Sequence, residues 1–546
     1  MEKFLVTFLP DNLSVSVAKD TTILAAAISA QIYINSACGG DGICGKCKVI
    51  VRGQVTSSQP NGSLTSEERK NNIYLSCFTT VQGNLEVQIP DSSRLNFDKL
   101  TPEELDERLS GLLVEPADTT GNNFGFCFDI GTTTISGQLV NLGSKNILGT
   151  RATYNQQAAF GSDVITRIIY AAKPGGLQQL HNCVCGTINQ IIEELISVHK
   201  VELNNVNSIV CAGNTTMIHL LLNMDPAHIR RLPYVPKTSI PLVLPATKAD
   251  INISTAGILR CVPGVSSYVG GDTTAGILSS GLYQKEKTCI LIDIGTNGEI
   301  VLGNRDFLIA CAASAGPAFE GSGLTCGMRA SGGAIQKIQI NKDDFNIEYS
   351  VIQGKKPHGI CGSGYIDLLC EMLDAGIIDK NGRIKAENRR IRKTDTAKEF
   401  VVCFKEETDG VNDIVITEAD IENLKRSKGA IYAATSILVK HLGLDFSGIE
   451  KFYIAGGFGT YLNIEKAIRI GLLPDLERNK FVFIGNSSLA GARQILLSSQ
   501  EMDMADSLAA KITYFELSVE PGYMEEYSQA LYFPHTDLTK FPSLKF

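Results

Sequence analysis

Phe124-Gly-Phe-Cys-Phe-Asp-Ile-Gly-Thr-Thr-Thr134 returns, in altered form, as Thr288-Cys-Ile-Leu-Ile-Asp-Ile-Gly-Thr-Asn-Gly298. Each copy is an apolar run, then Asp-Ile-Gly-Thr, then a second strand, which predicts a tight hairpin. The two aspartates stand 164 positions apart (293 − 129), the length of a domain, so the echo reads as an internal duplication. Such a hairpin suits phosphate. Gly131 and Gly295 let the backbone approach closely. Thr132, Thr133 and Thr134 in one copy, and Thr296, Asn297 and Gly298 in the other, offer hydroxyl and N–H donors to phosphate oxygens. Asp129 and Asp293 would hold Mg²⁺, usually through water. One copy alone is weak grounds for a nucleotide site. Two copies at domain spacing are strong grounds.

A third element fits the same chemistry. Phe452-Tyr-Ile-Ala-Gly-Gly-Phe-Gly-Thr460 is a strand entering a turn with Gly456, Gly457 and Gly459, followed by a helix from about Ile464. Bare backbone of this kind lets adenine and ribose lie close. Together the three segments resemble the phosphate-1, phosphate-2 and adenosine motifs of the acetate kinase/sugar kinase/Hsp70/actin (ASKHA) superfamily. The resemblance covers roughly residues 123 to 546 and implies two α/β lobes of ribonuclease H-like fold, 123–285 and 286–546, closing on ATP and Mg²⁺. Gly213-Asn-Thr-Thr-Met217, Val269-Gly-Gly-Asp-Thr-Thr274 and Ser314-Ala-Gly-Pro-Ala-Phe-Glu-Gly321 fit as cleft loops. Among them Gly270, Gly271 and Asp272 would bring a carboxylate near the γ-phosphate, and Glu299 would do likewise; ordinary turn chemistry accounts for each equally well. His358-Gly-Ile-Cys-Gly-Ser-Gly364 takes no assigned role.

Nearer the N-terminus, Cys38, Cys44 and Cys47 share one Gly-rich loop and Cys77 follows after a gap. Three thiolates in a loop and one from a distant strand suit a [2Fe–2S] cluster, which moves single electrons. A zinc site would normally use two close pairs or added histidines, and this region has no His. Gly40-Asp-Gly-Ile-Cys-Gly-Lys46 nearly spells a P-loop, but Cys47 replaces the needed Ser or Thr and no helical pattern follows. The spacing resembles plant-type and adrenodoxin-like ferredoxins. That resemblance implies an α+β, β-grasp domain over residues 1–94, with a hairpin around Asp11-Asn12 and a helix over Thr21–Ala30. Of the remaining cysteines, Cys183 and Cys185 beside His181 suggest a metal pair. They fall two apart in a helical pattern, Leu177–Val198, and read instead as small core residues.

Residues 95–122 form a charged connector in which Thr101, Pro102 and Glu104 announce one short capped helix, a tether for the cluster domain. The chain has 546 residues, a net charge of −8 and 15 cysteines. The acidic balance argues against a nucleic-acid partner, no run is apolar enough to span a membrane, and the start lacks a signal peptide's layout. Many cysteines beside a cluster point to a reducing cytoplasm, and to an anaerobe.

As a whole the chain resembles the reductive activators of corrinoid proteins. The match includes Gly213-Asn-Thr-Thr-Met-Ile-His, Pro233-Tyr-Val-Pro236 and Ile484-Gly-Asn-Ser-Ser-Leu-Ala-Gly-Ala492. The resemblance implies ATP-dependent return of one electron to a Co(II) corrinoid of a methyltransferase system, restoring Co(I). It also implies an upstream low-potential donor and a homodimer formed through the ATPase domain. Three other readings stay open: a small-molecule kinase carrying a ferredoxin domain, an activator of another low-potential enzyme, and a redox-sensing ATP-binding module. The amphipathic stretch Tyr523–Tyr532 is expected to pack on its own lobe.

Overall fold

Both echoed segments are hairpins, and each founds a sheet. The computed structural model describes residues 2–30, 32, 34–36, 38, 40, 42, 44–58, 64–90, 93–94, 123–231, 234–239, 242–393, 397–408, 412–456 and 462–545. The connector 95–122, with the helix expected from Thr101, lies outside the described residues.

The N-terminal domain places a five-stranded sheet, in order β2-β1-β5-β3-β4, against one helix. Its elements are β1 (Lys3–Leu9), β2 (Leu13–Ala18), α1 (Ile23–Ser29), β3 (Lys48–Ser57), the one-turn α2 (Ser66–Lys70), β4 (Ile73–Leu75) and β5 (Thr79–Gln88). Strand β1 alternates so that Val6 and Phe8 face inward onto Ile23 and Ala26 of α1, with Val49, Val81 and Val87 completing the core. The expected helix starts two residues late because the Thr22 hydroxyl caps it, accepting from the N–H of Ala25. Parallel pairing of β1 with the C-terminal β5, Val6 opposite Leu85, closes the β-grasp arrangement.

The first lobe contains β6 (Phe124–Ile130), β7 (Thr134–Asn141), β8 (Ile147–Tyr154), α3 (Val164–Ala171), α4 (Gly176–His199), β9 (Val206–Gly213), α5 (Thr215–Leu221), β10 (Leu242–Pro245), β11 (Ile258–Cys261) and α6 (Gly271–Ser280). The second opens with β12 (Cys289–Ile294), β13 (Gly298–Gly303) and β14 (Leu308–Ala313). An insertion follows: β15 (Ala334–Ile340), β16 (Ile347–Val351), β17 (Gly359–Ile360), α7 (Gly362–Asp374), β18 (Ile391–Lys393), β19 (Lys398–Cys403) and β20 (Ile414–Thr417). The lobe ends with α8 (Glu418–His441), β21 (Phe452–Ala455), α9 (Ile464–Arg469), β22 (Phe481–Gly485), α10 (Ser487–Leu497), α11 (Ser499–Lys511), β23 (Thr513–Tyr514) and α12 (Tyr523–Ala530).

The two large sheets run β8-β7-β6-β9-β11-β10 and β23-β14-β13-β12-β21-β22. In each, three antiparallel strands are followed by two parallel ones, β9 and β11 beside β6, β21 and β22 beside β12. This is the ribonuclease H-like order, present twice. The founding strands are apolar on both faces because helices cover both sides; Phe126, Cys127 and Phe128 are all buried. Helices α6 and α10 hold the same place in their lobes, each following the fifth strand, and they pack on one another.

Near the C-terminus, α12 packs on α8, as expected for Tyr523–Tyr532. The buried Lys428 ties the last segment down by donating to the carbonyls of Tyr532 and Pro534. None of the 15 cysteines is in a disulfide, and burial pushes thiols such as Cys127 and Cys261 up to about 12. Cys185 faces His181 at 3.6 Å, Cys183 is only half-buried, and His181 is instead paired with Asp250 at 3.0 Å. No helix among the described residues is long and apolar enough to cross a membrane.

Candidate functional site

The four N-terminal thiols come together as two pairs. Cys38 and Cys44 have sulfurs 3.4 Å apart, and Cys47 and Cys77 have sulfurs 3.3 Å apart. Three of them lie on a loop that can bend only through glycine: Gly40, Gly42 and Gly45 have φ of +92°, +73° and +64°. At Gly42 a Cβ would also stand 2.1 Å from the Phe78 ring, which follows Cys77 directly. The hydrogen bond between Cys47 and Cys77 draws the Cys47 thiol down to about 6 and pushes Cys77 up. A [2Fe–2S] cluster asks for four thiolates, and two pairs fit two irons.

The hairpins meet in the cleft between the lobes. Register places Asp293 directly opposite Glu299 on β13, so both carboxylates project from one face. Asp272 lies in the first turn of α6, its Oδ1 accepting from the N–H of Thr273 at 2.7 Å. Asp129 is held by the start of α10: Asn486 Nδ2 and Ser488 Oγ each donate to it at 2.8 Å. Burial drives Asp272 up to about 7, with the Asp129 charge adding to it. Asp293 rises to about 7 through burial and the charges of Asp129, Asp272 and Glu320. Glu299 is pushed well above the usual carboxylate range by burial and by Asp272 and Asp293. Converging carboxylates of this kind favour a hard cation. Since no three of the described acidic groups chelate one ion, Mg²⁺ would be bound largely through water, its usual manner.

Around this floor the phosphate hairpins are braced from behind. Asn214 Nδ2 donates to Thr132 Oγ1 at 3.0 Å, the buried Arg167 donates to the Thr132 carbonyl, and Asn155 Nδ2 donates to the Gly131 carbonyl at 2.9 Å. Glu320 Oε2 accepts from Thr133 Oγ1 at 2.9 Å and from Thr296 Oγ1 at 3.0 Å. Arg329 Nη1 donates to the Thr133 carbonyl at 3.3 Å and lies 4.2 Å from the Tyr154 ring centroid. Gly131 is demanded by the hairpin itself, a Cβ there falling 2.4 Å from the Thr134 carbonyl. Gly270 and Gly271 face the backbone of Asn214 and Val262. In the second hairpin Gly295 N–H donates to the Asn297 carbonyl at 2.9 Å, and Gly298 backs onto Ile431. Gly456, at φ +92°, lies under Asp293, whose Oδ1 a Cβ there would approach to 2.8 Å. Gly457 and Gly459 lie outside the described residues.

Sequence reasoning did not single out Glu320, Arg329, Arg167, Asn214, Asn486 or Ser488. Glu320, Asn214, Asn486 and Ser488 stand in segments already marked as cleft loops or family strings, so that signal was available. No local pattern marks the two arginines, which act on a hairpin far away in sequence. The cluster domain reaches the same region: Ser36 Oγ donates to the Ala159 carbonyl, four residues past Asn155, and Ile28 packs against the first lobe's core.

Two ribonuclease H-like lobes with facing Asp-Ile-Gly-Thr hairpins, fused to a four-cysteine β-grasp domain, define an ASKHA-type ATPase with an iron–sulfur domain. Three family models match in succession: a 2Fe-2S iron-sulfur cluster binding domain over residues 6–82, the RACo middle region over 124–285, and the C-terminal ASKHA domain of RACo over 287–545. The corrinoid activation enzyme RamQ of Eubacterium limosum is 34% identical over 414 residues, spanning 74% of this chain and 69% of that protein. A [Co(II) methylated amine-specific corrinoid protein] reductase of Methanosarcina barkeri is 27% identical over 422 residues, 71% of this chain and 73% of its own. Among solved structures, a reductive activator for corrinoid, iron-sulfur protein superposes with a TM-score of 0.73 at 40% identity, covering 99% of this chain and 100% of its own. The chain belongs to the RACo family of reductive activators of corrinoid proteins.

Proposed function

We propose that this chain is an ATP-dependent reductive activator, delivering one electron to the inactive Co(II) corrinoid of a methyltransferase-system corrinoid protein and so restoring Co(I). What carries the reading is that one chain holds both parts intact: two thiol pairs in one domain, and paired phosphate hairpins joined across a cleft in the others. Residues 1–94 carry the cluster, 95–122 tether it, and 123–285 and 286–546 form the ATP-binding lobes. Cys38, Cys44, Cys47 and Cys77 are its ligands, and when bound the cluster supplies single electrons.

ATP is needed for a thermodynamic reason. Plant-type clusters sit near about −400 mV, and the Co(II)/Co(I) step of a corrinoid protein generally lies lower. For one electron each shortfall of about 59 mV is a factor of ten in equilibrium. ATP closes the gap by differential binding, favouring the conformation in which the partner is easier to reduce. Asp129 and Asp293 are the residues that would hold Mg²⁺, which would supply charge neutralisation at the phosphates. The hydroxyls and N–H groups of Thr132, Thr133, Thr134, Thr296, Asn297 and Gly298 orient the phosphates. Gly456, Gly457 and Gly459 admit the adenosine, and Asp272 and Glu299 stand beside the γ-phosphate, where a carboxylate whose proton affinity is raised by burial can hold a proton from water. A low-potential donor recharges the chain, which works in the cytoplasm as a dimer through its ATPase lobes.

The test is an anaerobic absorbance trace of a Co(II) corrinoid protein mixed with this chain and a reductant, with Mg-ATP added midway. A Co(I) band rising only after ATP supports the reading. No Co(I), with the cluster reduced, would defeat it.

A further inference from the structure

Glu320 makes a contact that none of the assigned roles explains. Its Oε2 accepts from Thr133 Oγ1 at 2.9 Å and from Thr296 Oγ1 at 3.0 Å, and the two hydroxyls are 3.3 Å apart. Thr133 belongs to the first lobe's hairpin and Thr296 to the second's. Glu320 Oε1 lies against the same turn, 3.5 Å from where a Cβ on Gly295 would be. Arg329, which donates to the Thr133 carbonyl, is close enough for the Glu320 charge to act on its guanidinium. A carboxylate therefore stands where the two hairpins converge, accepting what a phosphate oxygen would accept.

We propose that Glu320 is a built-in stand-in for phosphate: in the nucleotide-free chain it bridges the two hairpins, and the terminal phosphates of ATP must displace it to bind. The inference rests on the ATP-dependent reading above and adds to it what the nucleotide replaces. Carboxylate and phosphate are both anions that only accept hydrogen bonds, so they cannot share one pair of hydroxyls. The nucleotide thus exchanges one interlobe bridge for another. The fraction of molecules with Glu320 withdrawn then sets the apparent affinity. Displacement is felt first in the turn Pro317–Glu320, which is flanked by Gly316 and Gly321 at φ +73° and +79°, and at Arg329.

The experiment is anaerobic calorimetry on the full-length, cluster-loaded protein with two probes, the magnesium complex of a non-hydrolysable ATP analogue and adenosine. Wild type, Glu320→Gln and Glu320→Ala are compared. Removing two charge-assisted hydrogen bonds that compete with phosphate should tighten the analogue by about tenfold or more in Glu320→Ala, and by less in Glu320→Gln, which keeps an acceptor oxygen. Adenosine, having no phosphate, should bind all three alike. Unchanged or weaker analogue binding in the variants overturns the proposal and makes Glu320 a ligand or a brace. Parallel tightening of adenosine also overturns it, because the change is then general to the cleft. Failure of wild type to bind the analogue at all refutes the ATP reading itself. Should Glu320→Ala misfold, judged by cluster absorbance and circular dichroism, the near-isosteric Glu320→Gln decides alone.

Discussion

Cys44 is half-buried while its pair partner Cys38 is buried, so the thiols differ in access but are alike in need: each pair must be complete to hold an iron. Cys44→Ala should abolish the cluster's visible absorbance and electron delivery while leaving the affinity for Mg-ATP unchanged. Loss of both in a folded protein would contradict separate sites. Asp293 occupies the corresponding position in the other chemistry, with burial and then the neighbours Asp129, Asp272 and Glu320 raising its pKa. Asp293→Ala should lower ATP hydrolysis by at least about a hundredfold, the scale on which single catalytic groups act, with the cluster spectrum intact. An unchanged turnover rate would remove this residue from the reaction. The thiol pairs and the facing hairpins were legible because their signals are local: three of the four cysteines share one loop, and each Asp-Ile-Gly-Thr is a contiguous string. Arg329 was not, and Glu320 only as a member of a marked loop, since what defines their roles is a partner nearly two hundred positions away, Thr133 in both cases.

Helix α10 joins two duties at one end. Asn486 caps it, accepting from the N–H of Leu489 at 2.8 Å through Oδ1, and spends its Nδ2 on Asp129. Asn486→Ala should cost about 1 kcal/mol through the lost cap, seen as a lower denaturation midpoint. It should also weaken Mg-ATP binding, because Asp129 loses one of the two donors that favour its charged form. A stability loss with unaltered nucleotide affinity would separate the two duties. At element level the N-terminal hairpin, the two Asp-Ile-Gly-Thr hairpins and the helix over Leu177–Val198 followed from period and turn chemistry, the last being α4 within a residue of each end, whereas the equally long α8 was not read. What did not follow was the packing of α6 on α10, or Asp129 meeting a helix more than three hundred residues downstream. Amphipathic pattern says that a helix buries a face, but not against which neighbour.

For the molecule as a whole, the crowded cleft predicts a pH dependence. Asp272 and Asp293 titrate near 7 when folded, against about 3.9 for an unfolded aspartate. The folded state therefore holds their protons more tightly across that window. Their contribution to stability is full below about pH 4 and is lost as pH rises through about 7. The thermal midpoint of the nucleotide-free protein should fall between about pH 5 and pH 8, and Asp293→Asn should make that fall shallower. Mg-ATP should flatten it and bind more tightly as pH rises, since the cation favours both carboxylates ionised. A midpoint that climbs over this range would contradict the assigned proton affinities. The meeting of α6 with α10 has a further meaning. Each helix follows the fifth strand of its own lobe, so the contact joins equivalent surfaces, as a twofold homodimer does. The repeated hairpins nevertheless stand in unequal surroundings. One aspartate has Asn486 and Ser488 as companions and the other the bare backbone of Gly456, so a twice-used motif lines a cleft whose two sides are chemically distinct.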